Sequence, residues 1–267
     1  MTDIVDALDY VETMSNRILR YSLLSAIVGL VAYLALGYGV RSFEAFCPFG
    51  GAESLWGLVT SGQFSCALGP LNLSLFVGVI GLTLITKKAF CSWACPIGFL
   101  GELLGRMGAK LTNGKLVPSD RLDRWLRLLR YPVLVVSLYF TYRFGELVLR
   151  GYDPFYLIFS GFGHGTIGWI SYAILGVLTV GGLAIPMFFC RYLCPLGAVF
   201  DPLSRLGLIK LHRDAEACTG CGHCQLACPH NIPVHALIKV NNRDCTNCLE
   251  CVDVCPDEDV LTLRASL

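Results

Sequence analysis

Long uncharged apolar runs alternate along this chain with loops that concentrate its basic residues. Residues 21–40 carry no charge, and residues 68–86 are uncharged up to the stop at Lys87 and Lys88. Residues 131–149 are apolar except for Arg143 and Glu146 near their end, and residues 167–189 are uncharged, with Pro186 near their end. Each run has about the 20 residues that a helix needs to cross a hydrocarbon core. The pattern predicts four transmembrane helices. Between the second and third runs lie Lys87, Lys88, Arg106, Lys110, Lys115, Arg121, Arg124, Arg127 and Arg130, and Arg17 and Arg20 precede the first. The loops after runs one and three hold only Arg41 and Arg150 as basic residues. Basic loops stay in the cytoplasm, so both termini and the central loop are expected there, in a multi-pass protein of the cell membrane. Leu122, Trp125, Leu126 and Leu129 recur at helical spacing among arginines. That reads as a helix lying in the cytoplasmic interface, or equally as an extension of the third span.

Composition agrees with burial in lipid. Charged residues make up 15% of the 267 and mean hydropathy is +0.59, against about 25% charged in an ordinary soluble domain. The net charge of +1 gives no case for nucleic-acid binding. The N-terminal 20 residues are polar and acidic, unlike a cleavable signal, so the first apolar run is expected to remain as an anchor.

The apolar region is duplicated. Cys47-Pro48-Phe49, a span, FCSWACPIG and GRMGAKL in the first half answer to Asp153-Pro154-Phe155, a span, FCRYLCPLG and SRLGLIKL in the second. Cys91, Cys95, Pro96, Gly98, Arg106 and Gly108 match Cys190, Cys194, Pro195, Gly197, Arg205 and Gly207 at one constant offset. Each half crosses twice, so the halves (about 21–111 and 131–211) are two pseudo-symmetric hairpins of one orientation, related by an axis along the membrane normal. The two Cys-x-x-x-Cys-Pro motifs are then expected to face each other at the cytoplasmic ends of spans two and four.

From residue 212 the chain turns polar and rich in cysteine. Cys218, Cys221, Cys224, Cys228 and Pro229 form one C-x2-C-x2-C-x3-C-P run, and Cys245, Cys248, Cys251, Cys255 and Pro256 form another. This is the bacterial two-cluster ferredoxin pattern, in which the fourth cysteine of each run reaches the other cluster. Cys218, Cys221, Cys224 and Cys255 are thus assigned to one [4Fe–4S] cluster, and Cys228, Cys245, Cys248 and Cys251 to a second. The domain is expected to be α+β and cytoplasmic. A pair of zinc sites would also use four cysteines each, but as two C-x2-C knuckles across an intervening segment. His223 and His230 lie among the ligands as hydrogen-bonding neighbours that tune cluster potential.

The four spans, the two CxxxCP motifs (Cys91/Cys95 and Cys190/Cys194) and the C-terminal double cluster together resemble the membrane quinol-dehydrogenase subunits of the NapH type, within the wider family of NosR-like and CcoG-like membrane ferredoxins. The resemblance covers nearly all of the chain beyond residue 20. It implies electron transfer between a quinol pool and a partner reductase, with quinone or quinol as substrate and other redox subunits of a membrane complex as partners. There is no room for the flavin-binding domain of larger NosR-like members. A CcoG-like assembly or metal-maintenance factor with redox-active dithiols, and a transmembrane conduit to an exterior partner, are the other functions open to such a chain.

The remaining cysteines have two readings each. Cys91, Cys95, Cys190 and Cys194 suffice in number for a third iron–sulfur cluster at the repeat interface; otherwise they are two dithiols. Cys47 and Cys66, on the exterior side, fit a disulfide, which would contribute about 3 kcal/mol, or ligation with a partner subunit. A quinol site needs an apolar slot and a proton acceptor. Arg143, Glu146, Asp153 and His164 are the candidates, since ionisable groups near spans are costly to bury. The plainer readings are an i,i+3 pair for Arg143 and Glu146 and a helix cap for Asp153.

Overall fold

The computed structural model describes residues 2–37, 48–62, 69–112, 114, 116–144, 153–159, 169–257 and 259–265. The duplicated sequence folds as a duplicated structure. The first half runs through α1 (Thr2–Gly37), α2 (Pro48–Ser61), α3 (Gly69–Thr86), the one-turn α4 (Ala89–Trp93) and α5 (Pro96–Leu111). After α6 (Asp120–Leu128), the second half repeats the order with α7 (Arg130–Phe144), α8 (Pro154–Phe159), α9 (Trp169–Ala184), α10 (Phe188–Tyr192) and α11 (Pro195–Leu206). Proline opens α2, α5, α8 and α11, where its missing N–H costs nothing and its fixed φ suits the first turn.

The halves clasp each other crosswise. The last helix of each half packs on the long apolar helix of the other: α5 on α9, and α11 on α3. The matched glycines of the repeat sit at these crossings. A Cβ on Gly108 would lie 1.7 Å from the Leu183 carbonyl oxygen, and one on Gly207 would lie 3.1 Å from the Lys87 nitrogen. Beside the second crossing, the Leu208 N–H bonds the Leu84 carbonyl at 3.0 Å. Bare backbone is what lets the crossings close.

The four apolar runs have different lengths as helices. Among the described residues, Gly69–Thr86 is long and apolar enough to cross a membrane, and Trp169–Ala184 is a shorter apolar helix. Run one lies in α1 as far as Gly37, and run three is helical to Phe144; their last residues fall outside the described part. Run four ends early, at Ala184. Pro186 cannot continue the helix, and Met187 takes φ 55 before α10 begins.

The C-terminal part is a small α+β unit. β1 (Ile209–Arg213) pairs antiparallel with β2 (Leu261–Ala265), Leu211 opposite Leu263. Between them lie α12 (His223–Ala227) and α13 (Glu250–Asp253), each following a Cys-x2-Cys turn. Leu211, Ile232, Val234, Val240, Val260 and Leu261 form its core, with Cys218, Cys228, Cys245, Cys251 and Cys255 packed around it. The unit starts at Ile209, three residues before the composition changes, because β1 is itself apolar enough to read as part of the preceding run.

Two buried charge clusters dock this unit on the helical half, and they are built alike. In the first, Arg20 bonds Glu102 of α5 at 2.7 Å and Glu250 of α13 at 2.5 Å, and the Tyr21 hydroxyl donates to Glu102 at 2.6 Å. In the second, Arg130 meets Asp201 of α11 at 2.8 Å and Asp244 at 3.3 Å, and the Tyr131 hydroxyl donates to Asp201 at 2.8 Å. An Arg-Tyr pair before α1's apolar run or at the start of α7 thus holds one carboxylate of its own half and one of the C-terminal unit. Glu102 and Asp201 stand at the offset of the repeat. A second cation joins each cluster: Arg106, 2.7 Å from Glu250, and Lys88, 2.5 Å from Asp201. Both central arginines are 1% exposed, so neither charge can be satisfied by water. Burial alone would raise the Asp244 carboxyl, but Lys88, Arg127 and Arg130 outweigh it and hold it well below the usual carboxylate range.

Further bonds fix the register. Lys87 Nζ donates to the Val240 and Asn242 carbonyls at 3.0 and 2.9 Å, and the Trp93 indole donates to the Asn247 carbonyl at 3.0 Å. Asn247 Nδ2 donates to the Thr86 carbonyl at 2.9 Å. α6 is a separate helix, joined to α7 by a turn at Leu129. It turns Asp123 and Arg127 inward, toward Arg191 and Asp244, and leaves Leu122 and Trp125 exposed.

Substituting Arg20→Met leaves Glu102 and Glu250 with only the partly exposed Arg17 and Arg106 as partners, and breaking a buried pair costs about 3–5 kcal/mol. The expected outcome is a lowered Tm and protease release of the C-terminal unit. Arg205→Met, at an exposed position, serves as the control and should leave both unchanged.

Candidate iron–sulfur sites

The CxxxCP motifs build one site from two halves. Cys91 and Cys190 lie on α4 and α10, while Cys95 and Cys194 are the residues just before α5 and α11. First-turn N–H groups point back at these last two sulfurs: Ile97 and Gly98 at Cys95, Leu196 and Gly197 at Cys194. A helix N-terminus with free N–H groups favours a thiolate. The glycine of each motif follows from the same geometry. A Cβ on Gly98 would fall 2.0 Å from the Cys91 carbonyl oxygen, whereas on Gly197 it would keep 3.4 Å from that of Cys190. The four thiols interact across the repeat interface, Cys91 with Cys194 and Cys95 with Cys190.

All four line a single cavity of 510 Å³. Its other walls are mostly apolar, with polar groups from two directions. Glu53 on α2 and Asp153 before α8 contribute from the connecting segments, and His230, Asp244 and Thr246 contribute from the C-terminal unit. Glu53 is buried and accepts a 3.0 Å hydrogen bond from the Thr141 hydroxyl. Burial pushes its carboxyl up to about 7, with the Thr141 bond opposing and Asp153 adding to the rise. Glu53 is absent from the sequence-based candidates; the one signal for it is that it is the single charge in α2.

The candidates named from sequence fare differently. Asp153 caps α8, accepting the Phe155 N–H at 3.0 Å, and also faces the cavity. Arg143 is exposed at the end of α7. Glu146, His164, Cys47 and Cys66 lie outside the described residues.

In the C-terminal unit, Cys228 of the first run lines one small cavity together with Cys245, Cys248 and Cys251 of the second. Conversely, Cys255 of the second run lies within electrostatic reach of Cys221 and Cys224 of the first. Cys228 thus lies with three cysteines of the second run, and Cys255 lies near two of the first. Burial pushes the Cys248 thiol up to about 12, so thiolates gathered here need a positively charged core to face. The N–H groups of Asn247 and Glu250 point at the sulfurs of Cys245 and Cys248. Among the described residues, no three His, Cys, Asp or Glu side chains converge as ligands of one metal ion. Thiols spread around a cavity suit a four-iron core better than a zinc ion, whose sulfurs sit only about 2.3 Å from the metal.

Family models match the segments that carry these cysteines. Residues 68–115 and 167–214, the two CxxxCP halves, each match the 4Fe-4S binding domain, and residues 210–256 match the 4Fe-4S dicluster domain. The chain is 36% identical over 227 residues to the YccM protein of Escherichia coli, which covers 82% of this chain and 62% of YccM. An uncharacterized protein of Methanocaldococcus jannaschii is 32% identical over 178 residues, 66% of this chain and 64% of its own length. The chain thus spans less than two thirds of either relative. The ferredoxin-type protein NapH of Escherichia coli is 30% identical over 218 residues, 74% of this chain and 71% of NapH. The chain belongs to the NapH/NosR-type polyferredoxin family. The segments that carry its cysteines are 4Fe-4S binding domains. No solved structure matches it.

The unequal glycines give a direct check on the CxxxCP geometry. Gly98→Ala forces a backbone shift under Cys91, and overpacking of this kind costs about 1–3 kcal/mol. Gly197→Ala needs only a small adjustment. Thermal unfolding and iron content should separate the two variants, with Gly98→Ala the lower in both.

Proposed function

We propose that the protein is a membrane-bound relay carrying single electrons between the quinol pool and a partner redox protein, through three [4Fe–4S] clusters in line. The observation that carries this reading is that the CxxxCP cavity and the cavity of Cys228, Cys245, Cys248 and Cys251 share wall residues, His230 and Thr246. A cluster held by Cys91, Cys95, Cys190 and Cys194 would be next to the second ferredoxin cluster. That one is next to the first, held by Cys218, Cys221, Cys224 and Cys255, because the runs exchange their fourth cysteines. Cys221 is exposed, so the far end of the line opens to a partner. Bound clusters supply one-electron steps.

The membrane setting draws on the four apolar runs and the basic loops. It is supported by exposed apolar side chains on α1, α3, α7 and α9, among them Leu30, Val77, Val135 and Val180. In this topology the ferredoxin unit is cytoplasmic and α2 lies between spans. Quinol oxidation releases two protons and two electrons. The CxxxCP cavity offers a place for both, with Glu53 and Asp153 as carboxylates for the protons and the cysteine site for electrons taken one at a time. Apolar walls suit a quinone ring. A base with a pKa near the working pH is the efficient kind, which favours Glu53.

Iron and acid-labile sulfide in anaerobically purified protein test the relay. About twelve irons per chain are expected, from three cubanes of four. Cys91→Ala with Cys190→Ala should leave about eight. About eight in the unmodified protein would make the CxxxCP cysteines dithiols and turn the function toward an assembly factor. Quinol-driven reduction of the clusters in proteoliposomes tests the substrate. Its rate should rise as pH passes through about 7, where Glu53 becomes the proton-accepting carboxylate. Glu53→Gln should flatten that profile and slow the reaction by about 10²-fold or more. A Glu53→Gln rate and profile like the unmodified protein's would remove Glu53 from the site.

A further inference from the structure

His230 and Thr246 are the polar residues of the wall between the two cavities that have no hydrogen-bond partner. His230 is 5% exposed and Thr246 is 4% exposed. Neither ring nitrogen of His230 is bonded, and neither is Thr246 Oγ1. Buried polar groups nearly always find partners, and one left without is costly. The fold keeps both side chains in place at close quarters. His230 follows the Cys228-Pro229 pair, and Thr246 follows Cys245 beside Asp244, which the second charge cluster grips. Ordinary partners are near: Asp244, Arg191, Lys88 and Arg127 all act on His230 electrostatically. Yet the acids and cations are engaged with one another in the docking clusters. Both cavities are lined by cysteine sulfurs, four in each. The cysteine sulfurs that line both cavities are thus acceptors open to an imidazole N–H and a hydroxyl here.

We infer that His230 and Thr246 form a hydrogen-bonding bridge between two iron–sulfur sites, donating to sulfur from the wall that separates Cys91, Cys95, Cys190 and Cys194 from Cys228, Cys245, Cys248 and Cys251. They are positioning residues, which touch the electron path without exchanging electrons themselves. An N–H or O–H dipole aimed at cluster sulfur stabilises the reduced, more negative state, so the bridge raises the potential of the cluster it donates to. In either protonation state imidazole keeps at least one N–H donor. The inference rests on the reading that the CxxxCP cysteines hold a cluster.

The test uses the full chain, purified anaerobically, with ¹⁵N-labelled histidine. Iron is counted, the clusters are titrated by EPR, and ENDOR is recorded on the reduced clusters. The unmodified protein should show coupling to a histidine ring nitrogen or its exchangeable proton. His230→Leu should retain the iron, lose that coupling and lower the midpoint potential of at least one cluster. His230→Gln, which keeps an N–H, should restore part of the potential. Thr246→Val should lower it independently. Arg205→Met, at an exposed position, should change nothing. If His230→Leu loses iron, ENDOR on the unmodified protein and the Thr246→Val titration decide. Full iron with no ring-nitrogen coupling and unshifted potentials would overturn the bridge and leave the relay standing. About eight irons in the unmodified protein would overturn both.

Discussion

Two arginines with almost no contact to solvent govern this structure. Arg20 and Arg130 each face two carboxylates, one from the helical half and one from the ferredoxin unit. A buried guanidinium is tolerable only when paired and hydrogen-bonded on its fixed planar geometry. Once it is paired, moving either carboxylate leaves an uncompensated charge. Such pairs add little net stability, since desolvation offsets most of the attraction. They restrict instead which arrangement is permitted. The ferredoxin unit has one orientation that satisfies both arginines, because the two sockets are related by the repeat and its carboxylates, Asp244 and Glu250, bracket one short loop.

That loop is the second cysteine run. Asp244 precedes Cys245 and Glu250 precedes Cys251, so the sockets hold the cluster-binding turn from both ends. Trp93 and Asn247 fix its middle. The turn that makes the second ferredoxin site is thereby set against the floor of the CxxxCP cavity, while Cys221 of the first site stays exposed. The shared cavity and the docking are consequences of one constraint. Two copies of a helical hairpin make a pseudo-symmetric cavity at their interface, and two copies of a charged socket seat the ferredoxin over it.

The chemistry of the sites was legible in sequence because it depends on local spacing. The C-x2-C-x2-C-x3-C-P spacing implies that Cys228 groups with the second run and Cys255 with the first, as they lie here, and the constant offset of Cys91/Cys95 and Cys190/Cys194 implies that they meet at the interface, where they share a cavity. The docking was not legible. Arg17, Arg20, Lys87, Lys88, Arg127 and Arg130 read as a membrane-orientation signal, and the same residues turn out to be ferredoxin contacts. Their partners are over a hundred residues away in most cases (Arg130 and Asp244, for example), and no local pattern marks such a pair. Glu102 and Asp201 stood at matching places in the repeat, but as isolated acids in amphipathic helices they carried no distinguishing sign. Glu53 was hidden for the same reason, a single charge whose burial depends on Thr141 from the other half.

If the helical half and the ferredoxin unit form one continuous line of redox centres, those centres lie close enough to interact magnetically. Magnetic interaction between the centres tests it most directly. EPR spectra of the full chain, reduced in steps, should show a third paramagnetic centre. Its signal should be broadened by spin coupling to the nearer ferredoxin cluster, and that coupling should weaken when the second socket is opened by Arg130→Met. A fully reduced spectrum containing only the mutual coupling of two ferredoxin clusters, with no further interacting spin, would contradict the account.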